Sequence, residues 1–235
     1  TVVVFRQIQY AKQRPLGYNP KNLLLVPMTT DDIPRHFDAV RTDLLKSDAI
    51  TAMATSESTT TDIWGTDSDL TWPGKDPRTN VDFPNTGVSV EYGKTVGWTF
   101  IDGRDFSSRI AGDSAAFVLN EAAAKFMGLN QPIGEIIRWK GQPFTVIGVI
   151  KDMVVESPYE PVKPSIYCLA RQHDNFAILK LNAAVNVSKT LSEIEKVFKR
   201  YSPSSPFAFE FIDDKYGSKF MAEERVGKIA GCFTV

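Results

Sequence analysis

A strand–helix–strand unit that occurs twice, near residues 23–55 and again near 177–212, constrains this chain most, because the stretch between the two copies has a different texture. In the first copy Leu23-Leu24-Leu25-Val26 is a short continuous apolar run, which reads as a buried strand. Thr29 or Thr30 is placed to cap a helix with Asp31 and Asp32 in its first turn, where a carboxylate suits the helix dipole. Ile33, Phe37, Val40 and Leu44 then recur at helical spacing as one apolar stripe, and a Thr-rich strand follows from Ile50 to Thr55. In the second copy Ala177–Leu181 reads as a strand, and Ser188 caps a helix carrying Leu191, Ile194, Phe198 and Tyr201. The breaker run 202–206 ends that helix, and 207–212 alternates as a strand with Phe207, Phe209 and Phe211 on one face. Two such units can share one split α+β sheet with both helices on one side, which explains why they flank an insertion instead of following one another.

The insertion reads as mainly β. Residues 56–85 are rich in Ser, Thr, Asp, Gly and Pro and are expected to be irregular or lightly stranded. Val88–Tyr92 alternates as a strand, with a short helix or turn near Thr95, and Ala115–Leu119 is a further strand. Asn120 caps a helix over Glu121–Met127 that Gly128 ends in the left-handed conformation. Ile136–Trp139 and Phe144–Ile150 form a hairpin about Lys140-Gly141-Gln142, and Ser165–Leu169 supplies one more strand after prolines 158, 161 and 164. From Asp213-Asp214 a last helix places Tyr216, Phe220, Gly227 and Ala230 near one face and Lys219, Glu223, Glu224 and Lys228 on the other, with no breaker before the C-terminal apolar residues.

Composition narrows function by exclusion. Lys+Arg of 27 against Asp+Glu of 28 leaves no positive excess to neutralise phosphates, so nucleic-acid binding is disfavoured. Two cysteines, Cys168 and Cys232, exclude a disulfide-dense scaffold or a multi-cysteine zinc site. His36 and His173 stand apart without an acidic-histidine motif, and Asp67-Ser68-Asp69 lacks the later carboxylates of a calcium loop. No glycine-rich phosphate cradle occurs, and Gly112-Asp113-Ser114 is no nucleophile elbow. Glu121 and Asp152 are conceivable as an acid/base pair, although a helix N-terminus accounts for Glu121 without catalysis. Asn186-Val187-Ser188 matches a glycosylation sequon, but Ser188 is needed as a cap. Trp64, Trp72, Trp98 and Trp139 are either the small core of the insertion or an interaction surface, with the core preferred. No catalytic, cofactor-binding or metal-binding residue is assigned, and the chain is read as no enzyme.

The ends add a topological expectation. Thr1–Phe5 and Ile229–Val235 are apolar stubs that begin where charge stops, each shorter than the ~20 residues of a membrane helix. They suggest a loop taken from between two membrane helices; frayed core helices are the alternative. A helix running from Asp213 into a membrane span would be a rigid rod linking sheet motion to membrane-helix motion.

Several of these stretches resemble the MacB-like periplasmic core domain of FtsX-like ABC transporter permeases. They are Gly103-Arg104-Asp105-Phe106, Val118–Ala123, Gly128, Pro132-Ile133-Gly134, Phe144–Asp152, Pro161–Tyr167, Tyr216, Glu224-Arg225 and Gly227-Lys228-Ile229. Gln7–Tyr10 and Arg14–Asn19 look most like the second large extracytoplasmic loop of Bacteroides-type permeases. The resemblance implies an α+β fold: a porter-like split βαβ/βαβ subdomain (21–60 and 174–216) interrupted by a β-rich, sabre-like insertion (61–173), with stalk helices and membrane-helix stubs at 1–20 and 217–235. It also implies a periplasmic domain of an inner-membrane protein that couples cytoplasmic ATP hydrolysis to export (mechanotransmission). The implied partners are a cytoplasmic ABC ATPase, a second permease copy or tandem domain, and a periplasmic adaptor or outer-membrane component. A membrane-anchored periplasmic ligand-binding or sensory module is the alternative.

Overall fold

The computed structural model describes residues 14–170 and 174–221. β1 (Leu23–Pro27) leads through α1 (Asp32–Arg35) and α2 (Phe37–Lys46) to β2 (Ile50–Ser56). The insertion contributes β3 (Thr66–Asp67), β4 (Leu70–Thr71), β5 (Phe83–Val88), α3 (Tyr92–Val96), β6 (Phe100–Gly103), a 3-10 turn at Ala111–Ala115, β7 (Ala116–Asn120), α4 (Glu121–Phe126), β8 (Ile136–Trp139), β9 (Gln142–Ile150) and β10 (Ile166–Leu169). The chain returns with β11 (Phe176–Leu181), α5 (Val187–Tyr201), β12 (Glu210–Phe211) and α6 (Ile212–Ser218).

The flanking units do share a sheet. Its order begins β12-β1-β11-β2, and β1 runs antiparallel to β11 and β12 while β11 runs antiparallel to β2. Each strand–helix–strand unit is therefore split by a strand of the other, the βαβ/βαβ pattern expected. The sheet does not stop there: it continues β5-β10-β7-β9-β8-β4, with β3 on β5 and β6 on β9, as one mixed sheet of twelve strands.

Both faces of β1 are covered, which is why Leu23 to Val26 shows no alternation. Leu24 and Val26 meet Ile33, Val40, Leu44, Ile194 and Phe198 under the helices. Leu23 and Leu25 face the opposite way, into a core with Ile178, Tyr92, Val118, Ile150 and Met153. A third core lies wholly in the insertion, with Phe83, Phe117, Ile137 and Phe144 at its centre and the Phe117 and Phe144 rings stacked at 4.3 Å.

Local chemistry corrects several expectations. The stripe Ile33 to Leu44 is carried by two helices, because His36 leaves the helical region at φ −110° and ψ 19°. Neither Thr29 nor Thr30 caps α1; the Thr30 hydroxyl donates to the Asp32 carboxylate at 2.8 Å. Asn186, not Ser188, caps α5, its side-chain oxygen accepting from the Lys189 amide at 3.2 Å. The strand read at Val88–Tyr92 lies earlier, at Phe83–Val88, where Pro84 and Gly87 disguise it as loop, and Tyr92 instead opens α3 with its ring buried. Of 207–212 only Glu210 and Phe211 pair with β1, and Ile212 begins α6. That helix ends at Ser218 and gives way to a turn at Lys219-Phe220, so the described residues do not form an unbroken rod. The expected N-terminal helix, His173, Cys232 and everything beyond residue 221 lie outside the described residues.

Other expectations hold. Asn120 caps α4, Gly128 is left-handed at φ +69°, and the β8–β9 hairpin turns on Lys140 and Gly141, both at positive φ.

Candidate coupling site

The motif residues of the insertion serve structure. Arg104 grips the buried Asp113 carboxylate with two bonds of 2.7 Å, and the Ser107 amide donates to the same group at 2.8 Å. Arg104 thereby holds Asp113 below the usual carboxylate range, and the loop 104–113 is stapled shut. Asp105 lies nearby, and burial pushes it up to about 6 although the Phe106 amide opposes the shift. Asn120 is nearly inaccessible and uses its whole amide: the oxygen accepts from Ala123 at 2.9 Å and Ser165 at 2.8 Å, and the nitrogen donates to the Lys163 carbonyl at 2.9 Å. Asp152 accepts from the Ala122 amide at 2.9 Å, which makes it a second acceptor at the α4 N-terminus.

The remaining candidates are also absorbed. Asp67 accepts from Asp69 N (3.3 Å) and Trp139 Nε1 (2.6 Å) and pairs with Lys140, which makes a turn and no cation loop. His36 Nδ1 bonds the Asp32 carbonyl at 2.8 Å. Cys168 is buried in the insertion core. Trp72 and Trp139 pack on the insertion core as preferred, Trp98 packs on the core shared with the flanking units, and Trp64 is 60% exposed against Phe176. Among the described residues no group of three or more His, Cys, Asp or Glu side chains is arranged to hold a metal ion.

What the sequence reading missed lies where the chain enters and leaves the domain. The incoming segment, residues 14–18, and the outgoing segment, α6 with Lys219 and Phe220, converge on the same two connections. One is the loop after β2 and the other is the β9–β10 link. Lys219 extends its ammonium into a cage of backbone carbonyls. It donates to Thr61 in the first connection, and to Val155 (2.9 Å) and Glu156 (2.7 Å) in the second. Asp62 stands 3.6 Å away and also pairs with Lys215 at 3.3 Å, while Lys215 reaches Glu210 at 3.1 Å. Burial lowers the pKa of Lys219 against the pull of Asp62. Burial raises Asp62, but the two lysines outweigh it and hold the carboxyl below its usual range.

Beneath the ammonium, Phe220 and Tyr216 pack with Val154, Leu16 and Val162. On the incoming side Arg14 donates to the Glu160 carbonyl at 2.6 Å, and Val154 N donates to Leu16 O at 3.0 Å. Gly17, at φ +77°, lies so close to the Asp152 carbonyl that no side chain fits. Helical spacing sets Lys219 only on the face opposite Tyr216 and Phe220; its seat in a carbonyl cage comes from the fold. The one signal was the spacing of Lys215 and Lys219, which is ambiguous because one helical turn of lysines is usually a solvated stripe.

The sequence profile described as the MacB-like periplasmic core domain matches residues 6–197. The chain belongs to that family. It is a periplasmic-type domain of a MacB/FtsX-like ABC transporter permease. No helix among its described residues is long and apolar enough to cross a membrane.

Solved structures agree on the fold. The periplasmic region of MacB from Actinobacillus actinomycetemcomitans superposes with a TM-score of 0.58 at 19% identity, over 89% of this chain and 97% of that one. The extracellular domain of the noncanonic ABC-type transporter YknZ from Gram-positive bacteria gives 0.55 at 16%, over 80% and 97%. A domain of a putative permease from Porphyromonas gingivalis gives 0.52 at 12%, over 81% and 89%. Comparison with curated proteins gives no match. At such identities the likeness speaks for the fold, and for this MacB-like domain the collar around Lys219 is the feature that ties the fold to its flanks.

Proposed function

We propose that this domain transmits motion outside the membrane: its flanking segments relay ATP-driven movement of a permease into the porter-like and sabre-like parts, so that a substrate is expelled or handed on. The observation that carries the reading is the Lys219 cage. One ammonium on the outgoing segment bonds both the loop that leaves β2 and the β9–β10 link, and the incoming segment grips the second of these through Arg14 and Leu16. A displacement of the outgoing segment is thus imposed on both connections at once, and one of the incoming segment on the β9–β10 link. Charge-assisted bonds to carbonyls suit this task, because they are strong yet re-form without repacking a core. In this reading the domain lies in the periplasm, at the face of the inner membrane. Its partners are a cytoplasmic ABC ATPase, a second copy or tandem domain, and a periplasmic adaptor or outer-membrane component.

The test is Lys219→Met in the full-length permease with its ATPase, in membrane vesicles. The readout is the change in protease sensitivity of the extracytoplasmic domain on adding ATP and vanadate. The variant is expected to hydrolyse ATP while its domain no longer responds, and Lys219→Arg, which still donates to carbonyls, is expected to restore part of the response. An unaltered response in Lys219→Met would overturn the proposal.

A further inference from the structure

The long sheet has one joint. Along β1–β11 five residue pairs are in register, along β11–β2 five before a bulge and one after it, along β5–β10 four and along β10–β7 two; between β2 and β5 only Ser56 and Val88 pair. Glu57 N donates to Gly87 O at 2.9 Å and Ser89 N to Thr55 O at 3.0 Å, so Ser56 and Val88 face each other as a non-hydrogen-bonded pair.

The next rung on each side is made by a side chain standing in for a carbonyl. A continued ladder would have Thr55 N donate to Ser89 O, but that carbonyl is taken by Tyr92 N as α3 begins, at 3.1 Å. Thr55 N donates instead to Ser89 Oγ at 3.1 Å. Gly87 N would likewise meet Glu57 O, which is taken by Asn175 Nδ2 at 2.8 Å. Gly87 N donates instead to the Glu57 carboxylate at 3.0 Å. A Cβ on Gly87 would stand 2.5 Å from that carboxyl carbon, so glycine is what lets the stand-in approach.

We infer that the β2/β5 seam is a hinge between the flanking lobe and the insertion, with Glu57 and Ser89 as its flexible rungs. A backbone ladder fixes strand spacing rigidly, whereas a side-chain rung follows movement by turning about its own torsions. Of the three larger cores one belongs to the flanking lobe alone and one to the insertion alone, while the third crosses the seam on a single face, joining Leu23, Ala54 and Ile178 to Tyr92, Val96 and Val118; the small cluster of Val154, Tyr216 and Phe220 is a further apolar contact between the parts. The chain also links the joint to the collar: Thr61, bonded by Lys219, lies on the loop that leaves the seam at Glu57. The hinge is a property of this chain and holds whether or not the domain transmits motion for transport.

Two measurements on the whole chain test it. Amide hydrogen exchange is expected to show Thr55, Glu57, Gly87 and Ser89 exchanging about 100-fold faster than the β1–β11 amides, as a local opening would. Glu57→Ala is expected to speed Gly87 further and leave β1–β11 unchanged. Seam amides as protected as those of Leu24 and Leu179 would overturn the hinge. Spin labels at Lys125→Cys in α4 and Lys196→Cys in α5, with Cys232 replaced by Ser, then report the lobe-to-lobe distance. A broad distribution is expected, collapsing to a narrow one when Ser56→Cys and Val88→Cys are oxidised. Non-hydrogen-bonded partners stand about 4.5 Å apart at Cα, within disulfide range. A distribution already narrow and unmoved by the crosslink would refute the hinge even if the exchange rates agreed.

Discussion

Replacing Asn120 with Ala removes three hydrogen bonds from a group that is 1% exposed, and the cost can be worked bond by bond. The cap on Ala123 N is worth about 1 kcal/mol. Ser165 N would be left without a partner, at about 1–3 kcal/mol before water or local shifts compensate, whereas Lys163 O keeps the Ser165 hydroxyl as a donor at 2.9 Å. The expected loss is roughly 2–4 kcal/mol, which for a domain of this size lowers Tm by on the order of 10 °C. Urea unfolding followed by circular dichroism would read it as a shifted midpoint with an unchanged m-value. Asn120→Asp is the informative partner. It keeps an oxygen for Ala123 and Ser165 and puts a favourable charge at the α4 N-terminus, but it turns the second oxygen against the Lys163 carbonyl. Its loss should fall between those of wild type and Ala. A loss below about 1 kcal/mol for Ala would refute the assignment of all three bonds to this side chain.

Asp113, held below its usual range by Arg104, contributes stability that is full above the unfolded carboxylate pKa and is lost as pH falls through the lower folded value. Asp113→Asn should lower stability at pH 7 and flatten the acid limb of the stability–pH curve below about pH 4, measured by urea midpoints. Asp105 has the opposite sign. With its folded pKa raised to about 6 by burial, the native state holds a proton that the unfolded state has lost, so stability falls as pH rises through that window. Asp105→Asn, which still accepts from Phe106 N, should remove this slope and be the more stable protein at pH 7; an unchanged slope would place the titration elsewhere. Gly17→Ala combines a left-handed backbone with a collision on Asp152 O and should cost about 2 kcal/mol or more in a thermal melt, whereas Gly141→Ala, equally left-handed but open to solvent, should cost only about 1–2.

How much of this was legible depends on how local each cause is. The α4 cap, the left-handed Gly128 and the two-residue turn of the hairpin are decided within a few residues, and their signals stand in the sequence. The β5 strand was hidden because Pro84 and Gly87 are poor strand formers, and its neighbours on β2, β3 and β10 override them. Asn186 and Ser188 are both good caps, and only the path of the chain entering α5 chooses between them. In the candidate site, Arg14 and Gly17 fell inside a recognised motif, but no motif marks Asp62 or Lys219 as partners.

By itself, then, the sequence determined the split pairing of two flanking units around a β-rich insertion and, through its combined motifs, the family. Those features follow from hydrophobic period, turn residues and caps, which are short-range and additive. Only the tertiary structure decided that the two parts form one continuous sheet, that their junction is bridged by Glu57 and Ser89, and that Lys219 holds the loop leaving β2 together with the β9–β10 link. The reason is physical: a carbonyl carries no residue identity, so neither a cage of carbonyls nor a diverted ladder acceptor leaves a trace in the amino-acid code until the chain has folded around it.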